Sequence, residues 1–505
     1  MTEQHNDETP AKLQRFLIFN SSWGPKEGEE EKKIVYYFPA EDDADKSKHV
    51  GLIEALVRFM SVFSQAPAKV QHTQKSKSVF IQVEPGFWMS MTVAAPFKIK
   101  KSESSDPSAS TAAEVSYLGD KLHDNVLEAK LEQAYDLFKI FTGGFQLLDN
   151  ADAIKAKAKG FFDRYIPSLH FNHFENVDDL FGAVQFLTLE PLDFLHVKSF
   201  VNKIEGDFGC VDKSLFLHHG NIVWSGLQQK ETQLLYFYVY HTLLPASGSL
   251  VVTKQNSPFG GHQGRFLTGP AQLDGLTVDQ VNSLRIPKLY VPQMCQETQL
   301  EAVQEYHLLV YHAIKSTLCL LIPSQVSFTV DFFKRLDGHL GPRLTNISAD
   351  LLDVFGRNAT GSNAASVVMA NEEITSILSP SICVPPVVID AKDEDINVVY
   401  YNEANKAMKN TLSKLPPYQE ALQHGIADLN QDICNLKKLN RLSGEEQKVT
   451  SELIVKLPNE DWIVGRHVDQ RQVYLAFKQK SSLLEVDSQV DKVMLSEFKN
   501  ICLPP

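Results

Sequence analysis

Four stretches of the chain carry side chains of the kinds that do chemistry. Gly260-Gly261-His262-Gln263-Gly264 comes nearest to a glycine loop, but it lacks the Gly-Lys-Ser/Thr ending that cradles a phosphate, so a plain loop is expected. His218-His219, with His170 and His173 upstream, supplies imidazoles. Neighbours on a strand point to opposite faces, however, and no carboxylate or thiol spacing completes a metal-binding set. Lys155, Lys157 and Lys159, and separately Lys437-Lys438 with Arg441, could meet anionic lipid at about 1 kcal/mol per charge, or be solvated helix faces. The sequence contains no G-x-S-x-G elbow, H-E-x-x-H helix or kinase signature, and isolated Ser, His and Asp residues do nothing without mutual geometry. The expectation is a chain without covalent catalysis, metal or cofactor, which acts by binding.

The composition supports large cores. At 505 residues the chain exceeds the roughly 250 to 300 at which single cores stop growing, so two to four domains are expected. Its 43% apolar, 10% aromatic and 22% charged residues match a globular chain. Lys plus Arg number 49 against 62 Asp plus Glu, a net charge of -13 that argues against a nucleic-acid footprint, which needs clustered cations. The 6 cysteines lie far apart with no C-x-x-C pair and read as reduced cytosolic thiols. Met1 to Pro10 is polar and acidic, and no run of about 18 apolar residues occurs, so neither a secretory leader nor a membrane span is expected. The sequons at Asn20, Asn346 and Asn358 then carry no weight.

The elements follow an order that recurs. Phe16 to Asn20 and Ile34 to Phe38 predict paired strands, His49 to Phe63 a helix, and Val70 to Gln74, Ser78 to Val83 and Trp88 to Ala94 three more strands. Lys100 to Ala113 is polar and predicts a mobile loop. Leu127, Leu131, Tyr135 and Phe138 mark a helix that ends near Gly143-Gly144, and Ala151 to Tyr165 predicts another. A second round starts with a hairpin, Leu215 to His219 and Ile222 to Ser225, and an aromatic-rich helix Gln228 to Leu244. Strands are expected near 265–268, 288–291, 306–312 and 318–322, and helix from Val326 to Phe355. A third round has a strand Val398 to Tyr401, a helix with Leu422, Ile426, Leu429, Ile433 and Leu436 on one face, strands Asp461 to His467 and Gln472 to Phe477, and a last helix. The expected domains are 1–170, 185–356 and 396–505, with a flexible linker at 357–395.

Phe16-Leu17-Ile18-Phe19-Asn20-Ser21-Ser22-Trp23-Gly24, the run Ile34 to Pro39 and Glu84-Pro85-Gly86-Phe87-Trp88-Met89 resemble the first longin domain of the Ccz family. Leu215 to Leu227 and Glu460 to Phe477 are also similar to that family, so the likeness spans the chain. The resemblance implies an α+β protein of three longin domains, each a five-stranded antiparallel sheet with helices on both faces. It implies an obligate Mon partner, paired through first longin domains, and a shared guanine-nucleotide exchange surface for a late-endosomal Rab GTPase in endosome maturation, autophagosome and lysosome fusion. It further implies a third subunit in animals, and a cytoplasmic protein recruited peripherally to anionic, phosphoinositide-bearing endosomal and lysosomal membranes. Two alternatives share the fold: a non-catalytic longin adaptor or tether, and the sibling tri-longin exchange factor of lysosome-related organelles.

On this reading the helix His49 to Phe63 has one apolar stripe, Leu52, Leu56, Phe59 and Phe63, and a second beside it, Ile53, Val57 and Met60. Two stripes exceed what one sheet face covers, so Ile53, Val57 and Met60 are expected to meet the partner longin, unless the domain's own loop or helix covers them. Val70, His72 and Gln74 mark a candidate edge for pairing with the partner sheet, with Lys69 and Lys75 as edge guards in the plainer reading. Trp23, Gly24 and Pro25, with the polar ridge Glu54, Arg58 and Ser61, are the residues expected to face the GTPase. The plainer alternatives are a tryptophan capping its own core and a solvated ridge.

Overall fold

The computed structural model describes residues 8–497 apart from 25, 27, 64–68, 101–113, 149, 170, 172–179, 188, 248–261, 295–300, 360–395, 411–417, 443–450 and 478–481. The chain forms two compact units. One takes residues 1–139, 143–181 and 414–446, and the other 140–142, 182–413 and 447–505.

The first unit contains β1 (Glu8–Thr9), β2 (Lys12–Asn20), β3 (Ile34–Phe38), α1 (Asp43–Phe63), β4 (Val70–His72), β5 (Ser76–Glu84), β6 (Phe87–Ala94), β7 (Phe97–Lys100), β8 (Glu114–Tyr117), α2 (Asp124–Thr142, up to Lys139) and α3 (Ala151–Tyr165). Five strands form an antiparallel sheet in the order β3-β2-β6-β5-β4. Strand alternation sends Phe16 and Ile18 of β2 to one face, where they pack with Met89, Met91 and the inner residues of α2 and α3, including Leu131, Phe138 and Phe162. Leu17 and Phe19 go to the other face, against Phe80 and the α1 residues Val50 and Ile53. The helix α2 closes on Gly143 at φ +86°, as the Gly143-Gly144 pair predicts. Glu84, half-buried, accepts hydrogen bonds from the Tyr135 hydroxyl and the Phe145 and Gln146 amides, which fixes the turn between α2 and α3. A second sheet, β1-β7-β8, which the sequence reading does not anticipate, flanks the expected loop. Its strands reach Lys100 and resume at Glu114, and the stretch between, 101–113, is outside the described residues.

The second unit contains α4 (Pro191–Asp207), β9 (Lys213–His218), β10 (Asn221–Ser225), α5 (Gln229–Phe237), β11 (Gly264–Thr268), α6 (Val278–Asn282), β12 (Lys288–Met294), β13 (Glu301–Ala313), β14 (Ser316–Pro323) and α7 (Val330–Ala359). The sheet has six strands, not the five expected. The cause is the 13-residue β13. One of its sides pairs with β14, while the other pairs in succession with β12 through Glu301–His307 and with β11 through Val310–Ala313. Two short strands therefore share one edge position. Val197, Phe200 and Ile204 of α4 and Phe333, Leu336 and Leu340 of α7 cover one face. The glycine stretch near 260 ends as sheet, not as a phosphate loop. The His262 ring lies 3.2 Å from Asp337 of α7, Tyr311 donates to the same carboxylate at 2.6 Å, and the Gly264 amide donates to His262. Gly260 and Gly261 are outside the described residues.

The same unit carries a five-stranded antiparallel sheet formed by β15 (Ile396–Asn402), β16 (Met408–Asn410), β17 (Ser451–Lys456), β18 (Trp462–Val468) and β19 (Arg471–Phe477), in the order β16-β15-β19-β18-β17. The helix α9 (Leu483–Glu497) covers one face through Val486, Val490 and Met494. The helix α8 (Tyr418–Leu442) lies in sequence between β16 and β17, yet it belongs to the compact unit of the first sheet. Residues 184–187 run between two sheet edges, with bridges from Val184 to Ala407 and from Phe186 to Ile222. Their amides and carbonyls bond Lys406, Met408 and Ile222 at 2.7 to 3.3 Å, so both edges are closed. The helix α7 extends to Ala359, and the rest of the expected linker, 360–395, is outside the described residues.

Burial holds the imidazoles of His123, His218 and His312 neutral, pushing each from the usual 6.5 to about 4. The unfolded chain therefore binds more protons than the folded chain below pH 6.5, so their contribution to stability is complete above 6.5 and lost as pH falls toward 4. The thermal midpoint should stay level between pH 7 and 8 and drop steadily from 6.5 to 4. A midpoint that rose on acidification to pH 5 would contradict this.

Candidate docking face on the first sheet

The helix α1 leaves one side uncovered. Val50 and Ile53 are buried against Leu17, Phe19 and Phe80, and Val57 packs half-buried on the same cluster. The opposite stripe faces outward: Phe59 is 60% and Phe63 70% exposed, with Leu52, Val62 and Met60 beside them. The two rings pack on each other at 4.9 Å. The expected assignment of stripes is thus inverted at Ile53 and Val57, which serve their own core, whereas Met60 does stand outward. Periodicity finds two adjacent apolar stripes but does not say which one turns inward. Here the β-branched Val50, Ile53 and Val57, at i, i+3 and i+7, settle on the sheet, and the bulkier Phe59 and Phe63 are left out.

The same sheet ends in an open edge. Among the described residues the strand β4 pairs with β5 alone, in the register Val70↔Val79, Gln71↔Ser78 and His72↔Lys77. The Phe80 amide donates to the Lys69 carbonyl and the Thr73 amide to the Ser76 carbonyl, so residues 69, 71 and 73 spend their backbone groups on β5. By alternation, the amides and carbonyls of Val70 and His72 point away from the sheet. Gln74 lies beyond the strand, exposed in the Thr73–Ser76 turn. The His72 ring sits 2.9 Å from both oxygens of Asp124, at the start of α2.

The residues expected to face a GTPase fall into two groups. Trp23 turns inward: its ring packs edge-on against Phe87 at 5.7 Å and caps the core, as the plainer reading of that tryptophan has it. Gly24 has φ +55°, and a Cβ there would strike the Glu29 carbonyl, so the turn needs glycine for its own geometry. Pro25 and the Ser61 side chain are outside the described residues. Glu54 and Arg58 do form a ridge. The Glu54 carboxylate holds Lys33 at 2.8 Å and Arg58 at 2.5 Å.

Of the histidines singled out by the sequence, two are described, and they have separate surroundings. His218 is buried and bonds Ser316 at 2.8 Å, His219 occupies the hairpin turn at φ +49°, and His170 and His173 are outside the described residues. Among the described residues, no three His, Cys, Asp or Glu side chains converge in a geometry that could hold a metal, and no helix is long and apolar enough to cross a membrane.

Three family models match the three larger sheets in order. Residues 13–143 match the first longin domain of INTU, CCZ1 and HPS4, residues 211–341 the Intu longin-like domain 2, and residues 392–493 the Intu longin-like domain 3. The class is therefore a three-longin α+β protein. Over nearly its whole length the chain is similar to proteins named vacuolar fusion protein CCZ1 homolog. The Nematostella vectensis protein is 34% identical, with 98% of each chain covered, and the Xenopus laevis protein 33% identical, covering 97% of this chain and 96% of the relative. The Dictyostelium discoideum protein is 24% identical over 96% of this chain and 97% of its own. The chain belongs to the CCZ1 family of longin-domain proteins.

The inner and outer stripes of α1 should respond oppositely to substitution. Ile53→Ala should lower the stability of the first domain by about 2 to 5 kcal/mol, the usual cost of emptying a core site. Phe59→Ser and Phe63→Ser should each stay within about 0.5 kcal/mol of the parent. Denaturant unfolding compares the three, and equal losses would contradict the placement of the stripes.

Proposed function

We propose that this chain acts in membrane fusion and trafficking as one half of a heterodimeric guanine-nucleotide exchange factor, paired with a Mon subunit and acting on a late-endosomal Rab GTPase. The observation that carries the reading is the presence, on the one first longin domain, of both an exposed apolar helix stripe (Leu52, Phe59, Met60, Phe63) and a strand edge with outward backbone groups at Val70 and His72. A second longin domain presents both complements of that pair, a strand to augment the edge and an apolar helix to cover the stripe. The relatives named for vacuolar fusion support the setting.

Exchange needs no proton transfer. A factor that binds the nucleotide-free or opened GTPase better than the GDP-bound form shifts the equilibrium by that difference in affinity, and GDP leaves. Bound GDP depends on Mg²⁺ and ordered switch loops, so a surface that holds a switch loop open weakens it. The ridge of Glu54 and Arg58, beside the outer stripe, is the polar surface available for such a contact once the partner covers the apolar one.

Release of fluorescent GDP from a panel of Rab proteins tests this, with the chain alone, the Mon subunit alone and the pair. The pair should accelerate release from the late-endosomal Rab by about tenfold or more, about 1.4 kcal/mol off the barrier, with neither subunit doing so alone. Phe59→Ser with Phe63→Ser should abolish the acceleration. If the pair binds that Rab and leaves GDP release unchanged, the protein is an adaptor. Acceleration of a different Rab would assign it to the sibling exchange factor of lysosome-related organelles.

A further inference from the structure

The first turn of α2 joins two separate features of the first unit. The residue preceding the helix, His123, caps it with no side-chain hydrogen bond. The first amides of any helix lack intrahelical partners, and a side-chain oxygen is the usual remedy. Here the Val126 amide donates to the neighbouring Asn125 Oδ1 at 2.9 Å, and the Asn125 amide donates to an oxygen from far along the chain, that of Gln431 in α8, at 3.1 Å. One turn before it, Asp428 of α8 places a carboxylate oxygen 3.7 Å from the buried His123 ring, and His424 lies with its ring centroid 6.4 Å from that of His123. A carboxylate at this end of α2 also meets the positive end of the helix dipole.

The same turn holds the sheet edge. Asp124, between His123 and Asn125, binds His72 of β4 with both oxygens at 2.9 Å and Lys77 of β5 at 3.1 Å. Lys77 also donates to the Leu122 carbonyl at 2.5 Å. Residues 122–125 are thus contacted by α8 on one hand and by the last two strands of the sheet on the other, and four consecutive residues cannot move independently.

We propose that α8 is a cap supplied from far along the chain, which fixes the first turn of α2 and, through Asp124, sets the position of the β4 edge, so that the edge loosens when α8 lifts away. The chain enters α8 from β16 and leaves it to β17, strands of the other unit, so events at that sheet have a covalent route to the first domain's edge. Gln431 and Asp428 are positioning residues in this device. Its importance for partner pairing rests on the reading of β4 as the partner's edge, but the coupling itself does not.

Hydrogen exchange on the full chain, without any partner, tests the coupling separately from that reading. Gln431→Ala should speed exchange of the Gln71, Thr73 and Phe80 amides by about threefold or more, while the β2 amides Leu17 to Phe19 stay at parent rates, as expected of local opening. Asp124→Ala should give the same rise at β4 without changing exchange in α8. Gln431→Glu, which keeps an acceptor, should keep parent rates at β4. Faster exchange in α8 and the first turn of α2 with β4 unchanged would overturn the proposal, and so would a rise that includes β2, because the effect would then be loss of the fold.

Discussion

The strand β2 is apolar on both sides. Phe16 and Ile18 face one way, Leu17 and Phe19 the other, and all four are fully buried. A strand of this kind is stable only where helices cover both faces of its sheet, since each uncovered aromatic or branched side chain would forfeit about 1.5 to 3 kcal/mol of transfer free energy. The positions of α1 on one face and of α2 and α3 on the other follow from that requirement. The edge order does too, because β2 and β6 must be internal.

The candidate docking face is what this packing leaves over. Two helices share one face of the first sheet, but among the described residues α1 is the helix packed on the other, and a single helix can turn only one stripe inward. Its second apolar stripe stays in water, where apolar patches mark interaction surfaces. The handling of edges points the same way. In the second unit, residues 184–187 close β10 and β16, whereas β4 in the first unit keeps the backbone groups of Val70 and His72 directed outward. An open edge invites uncontrolled pairing unless it is short or has an intended partner. β4 is only 3 residues long, and Asp124 ties down its His72.

Much of this was legible in the sequence, for physical reasons. The runs Phe16 to Asn20, Ile34 to Phe38 and Leu215 to Ser225 combine β-branched and aromatic residues with turn signals, and each forms the expected strands. The limits Gly143 and Tyr165 were clear because glycine and proline punctuate helices. Elements stabilised mainly by their neighbours were not legible. β1, β7, β8 and β16 are too short to show a period, and β17, an edge strand, mixes Glu452 and Lys456 with Leu453 and Ile454. The helix α4 starts at Pro191 with Leu192 and Leu195 exposed, which blurs its apolar stripe. At the candidate site, the edge at Val70 and His72 and the outward Met60 followed from pattern. The choice between the stripes of α1 depends on which side chains fit the pleat, and the link from Gln431 to Asn125 spans 306 residues, so neither has a local signature.

The most direct test is photo-crosslinking from single sites of the purified pair with the Mon subunit. With a benzophenone amino acid in place of Phe63, of His72 or of the exposed Leu484 on α9, crosslinks to the partner are expected from positions 63 and 72 and none from 484. Crosslinks from 484 with none from 63 or 72 would place the interface elsewhere and contradict the assignment of the first domain's helix and edge.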